Sequence, residues 1–248
     1  MKVSHLVVAG CSWTYCQGLE SPQTQGWPAL VGKALGIPVV NLALPGLGND
    51  AIHRRTYEYA FEDHGTNPLY IICWTQLWRR EAWCRKLYNP KSVDGYNIIS
   101  FPNNNPQNNL EKALLDTWSE EDFYRRLMLY NLSITSLFKL KNIPYYTSFF
   151  SDDIYEANRS IVQDIKDRLK KTDEYLVTNV NRLLDFHQIA DKYPKTRCGH
   201  EGIEGNIAIS NYLINMLKHI VPVNTSYLTL KEYEKRTDPH SAHFSVWI

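Results

Sequence analysis

The sequence predicts a three-layer α/β/α sandwich around a central, mainly parallel sheet. Residues 3–9, 37–42 and 69–74 are short apolar runs rich in β-branched side chains, typical of strands buried on both faces. The stretches between them, 26–36 and 51–62, can form helices. Strands that alternate with helices make right-handed βαβ units, and such units build a parallel sheet covered on both faces.

The helices between these strands carry terminal signals. The helix at 26–36 presents an apolar face and is closed by Gly36, a glycine of the C-cap type. The helix at 51–62 is expected to be capped by Asn49 or Asp50, whose short polar side chains can accept from the first backbone amides.

The second half of the chain continues the alternation. Ser119 is expected to cap a long amphipathic helix that runs to about residue 140, and residues 143–150 form a fourth strand. The charged stretch 161–175 is typical of a solvated helix, and residues 206–219 have the apolar spacing of a final packed helix.

We expect one domain over residues 1–220, an insertion or lid loop around 85–118, and a C-terminal extension over 221–248. Residues 89–109 are polar and rich in proline and asparagine, which favours an irregular loop over regular structure. The tail contains one further cluster of polar side chains, which we interpret as surface residues and not as metal ligands: Asp238, His240 and His243.

Charge and composition exclude several functional classes. Lys plus Arg (27) nearly balance Asp plus Glu (26), so no field attracts nucleic acid or an anionic membrane. No stretch approaches the roughly 20 apolar residues of a membrane span, and the N-terminus lacks a signal-peptide pattern, so we expect a cytoplasmic protein without membrane partners. The five cysteines are odd in number and lack C-x-x-C spacing, which predicts reduced thiols and no zinc site.

Ser12 is the strongest candidate for chemistry. It lies in the turn that follows the first strand, at the carboxyl edge of the sheet, where open α/β folds bind ligands. A serine nucleophile needs a base and donors for the oxyanion. His200 is placed in a glycine-flanked loop before the last helix, which suits a base, although an isolated loop histidine is more often a surface residue.

Three blocks carry a family resemblance: Gly10-Cys11-Ser12, residues 41–46, and residues 199–206. In order and spacing the chain resembles the SGNH (GDSL-like) hydrolase family, whose fold is flavodoxin-like. The resemblance implies that Ser12 is the nucleophile, that the amides of Ser12 and Gly46 form the oxyanion hole, and that His200 is the base. Residues 74–81 are similar to a variant of the motif found in divergent members, some from phages.

The chain departs from the family pattern at three places. Cys11 stands where the family has Asp. Gln76 stands where the family has an asparagine amide, so the third oxyanion donor is Gln76, Thr75 or Asn49. Cys198 lies two residues before His200, where the family has its orienting acid. A backbone carbonyl or a nearby carboxylate could orient His200 instead; the carboxylates are Glu201, Asp152 and Asp153, and Cys198 is an accessory candidate.

The resemblance therefore implies a serine esterase or deacylase with a Ser–His dyad or an atypical triad. The expected substrate is a small-molecule or glycan ester, an acylated carbohydrate being one candidate, and no cofactor is expected. Two alternatives stay open: a binding or structural protein with weakened catalysis, and an acyltransferase. If the chain is viral, the virion or the host cytoplasm would be its location. The oligomeric state is left open.

Overall fold

The computed structural model describes residues 3–62, 67–77, 79–83, 96–100, 109–117, 119–149 and 186–217. The elements in these ranges are, in chain order, β1 (His5–Ala9), α1 (Ser12–Tyr15), α2 (Pro22–Gln25), α3 (Trp27–Leu35), β2 (Val39–Asn41), α4 (Asn49–Phe61), β3 (Pro68–Trp74), β4 (Arg79–Trp83), β5 (Tyr96–Ser100), α5 (Asn109–Asp116), α6 (Glu120–Leu140), β6 (Tyr145–Phe149), α7 (Phe186–Ala190) and α8 (Ile203–Leu217).

Four of these strands form one parallel sheet in the order β2-β1-β3-β6. Val8 of β1 lies opposite Asn41 of β2 on one side and Ile71 of β3 on the other. Ile72 of β3 lies opposite Thr147 of β6. Because the strands are parallel, the carboxyl ends of β1, β2 and β3 lie at the same edge of the sheet.

Side chains alternate between the two faces of the sheet, and each face has its own core. Val7 and Ile72 pack on the face covered by α4 and α6, whereas Val8 and Ile71 pack on the face covered by α3, α7 and α8. The helical partners on the first face include Ile52, Leu127, Ile134 and Phe138. Those on the second include Trp27, Val31, Phe186, Ile209 and Leu213. The predicted three-layer α/β/α sandwich is confirmed.

Two helix ends match the sequence prediction and one does not. Gly36 ends α3 in the left-handed conformation with φ of 66°, and the Ser119 hydroxyl accepts from the Asp122 amide at 3.4 Å. Capping of α4 by Asn49 or Asp50 was wrong: the N-cap is Gly48, and it makes no side-chain capping bond. Both predicted capping residues bond across the fold instead, because a buried long-range partner outweighs a local one.

A two-stranded antiparallel hairpin, β4 with β5, lies outside the main sheet. Arg79 lies opposite Ser100, and Trp83 lies opposite Tyr96. The expectation of irregular structure over 89–109 was therefore wrong at β5. The Asn and Pro residues on either side favoured a loop, although Tyr96–Ser100 itself has the short apolar pattern of a strand.

Several sequence predictions lie outside the described residues: the solvated helix at 161–175, the carboxylates Asp152 and Asp153, and the extension 221–248 with its tail cluster. Within the described ranges, no helix combines the length and apolar character that crossing a membrane requires. The four cysteines described there are unpaired thiols: Cys11, Cys16, Cys73 and Cys198.

Candidate active site

Gly10 and Cys11 connect the end of β1 to Ser12, which is the first residue of α1. The turn into α1 depends on Gly10, since a Cβ there would collide with the Thr14 hydroxyl and lie 3.2 Å from the Cys73 carbonyl oxygen. Ser12 is only 5% exposed. As the first helical residue, its amide has no acceptor within α1 and remains available to a ligand.

The second segment at this edge is the turn after β2. Gly46 has φ of 86°, which a glycine adopts without strain, and the Leu47 amide donates to the Leu44 carbonyl at 3.4 Å. Pro45 followed by a left-handed glycine is the pattern of a type II turn. The preceding backbone is held by the Asn41 side chain, which accepts from the Ala43 amide at 2.9 Å.

The third segment follows β3 and is clamped by Asn49. The Asn49 side chain accepts from the Thr75 amide at 2.8 Å and donates to the Thr75 carbonyl at 3.0 Å. The Thr75 hydroxyl donates to the Cys11 thiol at 3.0 Å, deep in the core. The carboxamide of Asn49 and the hydroxyl of Thr75 are thus engaged in holding the backbone and the core. Gln76 is partly buried, and its side chain makes no hydrogen bond to another described residue.

The loop that carries His200 packs directly on α1 and the turn after it. The rings of Trp13 and His200 are 4.8 Å apart between centroids. The Cys198 thiol lies 3.7 Å from the Gln17 carbonyl oxygen. Gly18 has φ of 94°, and a Cβ there would lie 2.6 Å from the Cys198 sulfur. The structure therefore brings the His200 loop against the helix that begins at Ser12.

The environment of the His200 ring favours the neutral imidazole. Burial lowers the pKa of His200, and the nearby Arg79 charge lowers it further. A backbone hydrogen bond at Cys198 and the Glu201 charge act in the opposite direction. Nδ1 lies 3.2 Å from the Cys198 thiol sulfur, so residue 198 occupies that side of the ring. Among the described residues, Nε2 has no hydrogen-bond partner.

The Glu201 carboxylate is paired with Lys195. The two carboxylate oxygens accept from Lys195 Nζ at 2.7 and 2.8 Å, and Glu201 is only 4% exposed. Lys195 also lies 5.7 Å from the centroid of the Trp13 ring. This ion pair holds the two ends of the loop together. Its Lys195 cation also lies against the Trp13 ring, which borders His200.

Asn206 fixes this loop to the rest of the protein, a role that the sequence did not reveal. Its Oδ1 accepts from the Trp27 amide at 3.0 Å and from the Cys16 thiol at 3.2 Å. Its Nδ2 donates to the carbonyls of Glu201 at 3.1 Å and Gly202 at 2.9 Å. A buried asparagine on the first turn of an apolar helix is the signal that could have identified it.

We predict that the His200 ring titrates below its ordinary pKa of 6.5. Burial destabilises the imidazolium, so the neutral form persists to lower pH. Arg79→Gln is expected to move the midpoint upward, because it removes a positive charge that opposes protonation. NMR titration of the ring carbon signal, assigned by its loss in His200→Gln, measures both. A midpoint at or above 6.5 in the unmodified protein would contradict this environment.

Comparison with known proteins adds evidence on the fold. No protein-family model matches the sequence, and no curated protein matches it. Twelve chains of solved structures match. TesA matches with a TM-score of 0.52 and 14% identity over 88% of this chain and 100% of that chain. The psychrotrophic esterase EstA from Pseudoalteromonas sp. matches with a TM-score of 0.50 and 10% identity over 88% of this chain and 98% of that chain.

A lipolytic protein of the G-D-S-L family from Desulfitobacterium hafniense DCB-2 matches with a TM-score of 0.46 and 12% identity over 85% of this chain and 97% of that chain. A similarity to phage variants stays a prediction from the sequence. The likeness to TesA and EstA shows the fold: this chain shares with them the three-layer α/β/α sandwich.

Proposed function

We propose that this protein is a serine esterase in which Ser12 is the nucleophile and His200 the general base. Ser12 Oγ attacks the ester carbonyl carbon as its proton passes to His200 Nε2. The tetrahedral intermediate then expels the alcohol, which takes that proton, and leaves an acyl-serine. Water hydrolyses the acyl-serine by the same steps, so an ester yields an acid and an alcohol.

The observation that carries this proposal is the packing of the His200 loop on α1. Trp13, the neighbour of Ser12, has its ring 4.8 Å from the His200 ring. A base must lie within reach of its nucleophile, and the His200 ring contacts the residue next to Ser12. The neutral form of His200, which burial favours, is also the form that can accept a proton.

The oxyanion hole in this proposal is formed by backbone amides at the sheet edge. The Ser12 amide is free of intrahelical bonding, and the Gly46 turn follows the neighbouring strand. Gln76 is the third donor, because Asn49 and Thr75 already bond to backbone and core. Its longer side chain offers an amide N–H at the end of β3.

Residue 198 orients the base in this proposal. A proton on Nδ1 can be donated to the Cys198 backbone or thiol, which leaves the Nε2 lone pair free for Ser12. A thiol stabilises an imidazolium less than a carboxylate does, so we expect slower turnover than a Ser–His–Asp triad supports. The same substitution favours the second candidate function, a binding protein with weakened catalysis.

Labelling with an alkyl fluorophosphonate tests the nucleophile separately from turnover. Ser12 Oγ is expected to attack phosphorus and release fluoride, which adds one phosphonyl group to the protein. Intact mass and peptide mapping should place the adduct on Ser12, and Ser12→Ala should remain unlabelled. Labelling at another residue, or equal labelling of both proteins, would remove Ser12 from the mechanism. Labelling without turnover of any ester would favour the weakened binding protein.

A further inference from the structure

Arg79 lies beside the candidate active site without belonging to the Ser12–His200 pair. It begins β4, and its Nη1 donates to the Leu47 carbonyl at 3.5 Å, directly after Gly46. Its backbone packs on Gly48, where a Cβ would lie 2.7 Å from the Arg79 carbonyl oxygen. The side chain is therefore held against the turn that supplies an oxyanion donor, and its charge reaches the His200 ring.

The neighbouring cations are paired with carboxylates, and Arg79 differs from them. Arg54 bonds Glu81 at 2.8 Å, and Arg126 bonds Asp122 at 2.6 Å. Arg80 lies 3.8 Å from the same Asp122. Within the described part of the chain, no carboxylate lies within ion-pair distance of Arg79. Its one hydrogen bond, at 3.5 Å, leaves most of the five guanidinium donors unused.

Asp50 lines the same small cleft as Arg79 but does not neutralise it. Its Oδ2 accepts from the Glu81 amide at 2.7 Å, whereas its Oδ1 has no hydrogen-bond partner. Burial raises the pKa of Asp50 to about 6, the opposite of what a paired guanidinium would cause. The positive charge of Arg79 is therefore left for a ligand.

We propose that Arg79 is a specificity residue that binds an anionic group, a carboxylate or a phosphate, on the ester that Ser12 attacks. This inference rests on the proposed function. A planar guanidinium makes two parallel hydrogen bonds to such a group, which fixes the orientation of the substrate as well as adding affinity. An anion bound there would also offset the repulsion between Arg79 and a protonated His200.

The test compares charged and neutral esters on one protein. On the acyl side, mono-4-nitrophenyl adipate is compared with its methyl ester; on the alcohol side, 4-acetoxybenzoate is compared with its methyl ester. For at least one pair we expect kcat/KM to favour the carboxylate by about 10- to 100-fold, the worth of charge-assisted hydrogen bonds. Both esters of a pair are measured on the same protein sample, so the fraction of folded protein cancels from the ratio of their kcat/KM values. A partly unfolded variant therefore does not change this ratio.

Arg79→Gln is expected to bring the ratio close to one, with most of the change in KM, and Arg79→Lys should keep part of it. Arg80→Gln is the matched control: it removes the same charge from the next residue, which lies near Asp122 and the Phe123 ring. This control should keep the preference. A ratio near one in the unmodified protein, or an unchanged ratio in Arg79→Gln, would overturn the inference.

A binding experiment tests this inference separately from the proposed function. Calorimetry on Ser12→Ala, with monomethyl succinate and inorganic phosphate as probes, needs no turnover. Binding of either probe that weakens about tenfold or more with Arg79→Gln supports the anion site even if no ester is hydrolysed, and the stronger probe identifies carboxylate or phosphate as the preferred group. Binding that is absent, or independent of Arg79, overturns the inference while leaving Ser12 chemistry to its own test.

Discussion

Ser12→Ala is expected to lower kcat/KM for short 4-nitrophenyl esters by at least about a thousand-fold. The substitution removes the only atom that forms the acyl intermediate in the proposed mechanism. It retains the Ser12 amide and the start of α1, so binding and the oxyanion donors persist. Some catalysis over water therefore remains, and the loss should appear in kcat more than in KM.

Serine-to-alanine replacement elsewhere provides the control for this result. Ser136 is exposed on α6 and is distant from Ser12 in sequence. The variant Ser136→Ala should hydrolyse esters at the unmodified rate. Thermal unfolding of both variants shows whether either substitution disturbs the fold. Hydrolysis by Ser12→Ala within a few-fold of the unmodified protein would refute the nucleophile.

Asn206→Ala is expected to lower the free energy of unfolding by about 2–4 kcal/mol. Asn206 is 1% exposed, and its four hydrogen bonds join the His200 loop to Trp27 at the start of α3 and to Cys16. Alanine leaves the Trp27 amide and the Glu201 and Gly202 carbonyls without this partner in a buried region. At this chain length the change corresponds to a fall in Tm of roughly 5–15 °C.

Urea unfolding followed by far-UV circular dichroism measures this loss. Asn67→Ala serves as the comparison, because Asn67 is exposed and its backbone carbonyl, which accepts from the Ser4 amide at 2.9 Å, is retained. That variant should stay within about 0.5 kcal/mol of the unmodified protein. Two variants of equal stability would mean that water replaces the Asn206 bonds at little cost.

The parts of the fold that were predictable from sequence depend on local pattern. β1 and β3 are continuous apolar runs because both faces of each strand are covered. The C-terminal end of α3 is marked by Gly36, a residue type that readily adopts the left-handed conformation of a C-cap. The position of Ser12 followed from the same logic, since parallel strands end at one edge. Neither conclusion requires knowledge of distant contacts.

The parts that were not predictable depend on partners far away in the chain. Asparagine is a preferred helix N-cap residue, yet the Asn49 side chain accepts a hydrogen bond from the Thr75 amide, 26 residues later. Glu201 is adjacent to His200, yet its carboxylate forms an ion pair with Lys195. Arg79 is one of several arginines in the sequence, and it is distinguished by the packing of β4 on Gly48 and by the pairing of its neighbours with carboxylates. Periodicity carries no information on such pairings.

Asn206 on α8 holds the His200 loop against the N-terminal part of the chain, so the site is complete only after α8 has been made. Asn206 contacts Cys16 across 190 residues, so the contact closes one of the longest loops that the described chain contains. Because synthesis proceeds from the N-terminus, Ser12 is made long before His200, its proposed base. A nascent chain can complete β1 to β3 and still lack His200. Esterase activity would then report that the last helix has docked, and not merely that the sheet has folded.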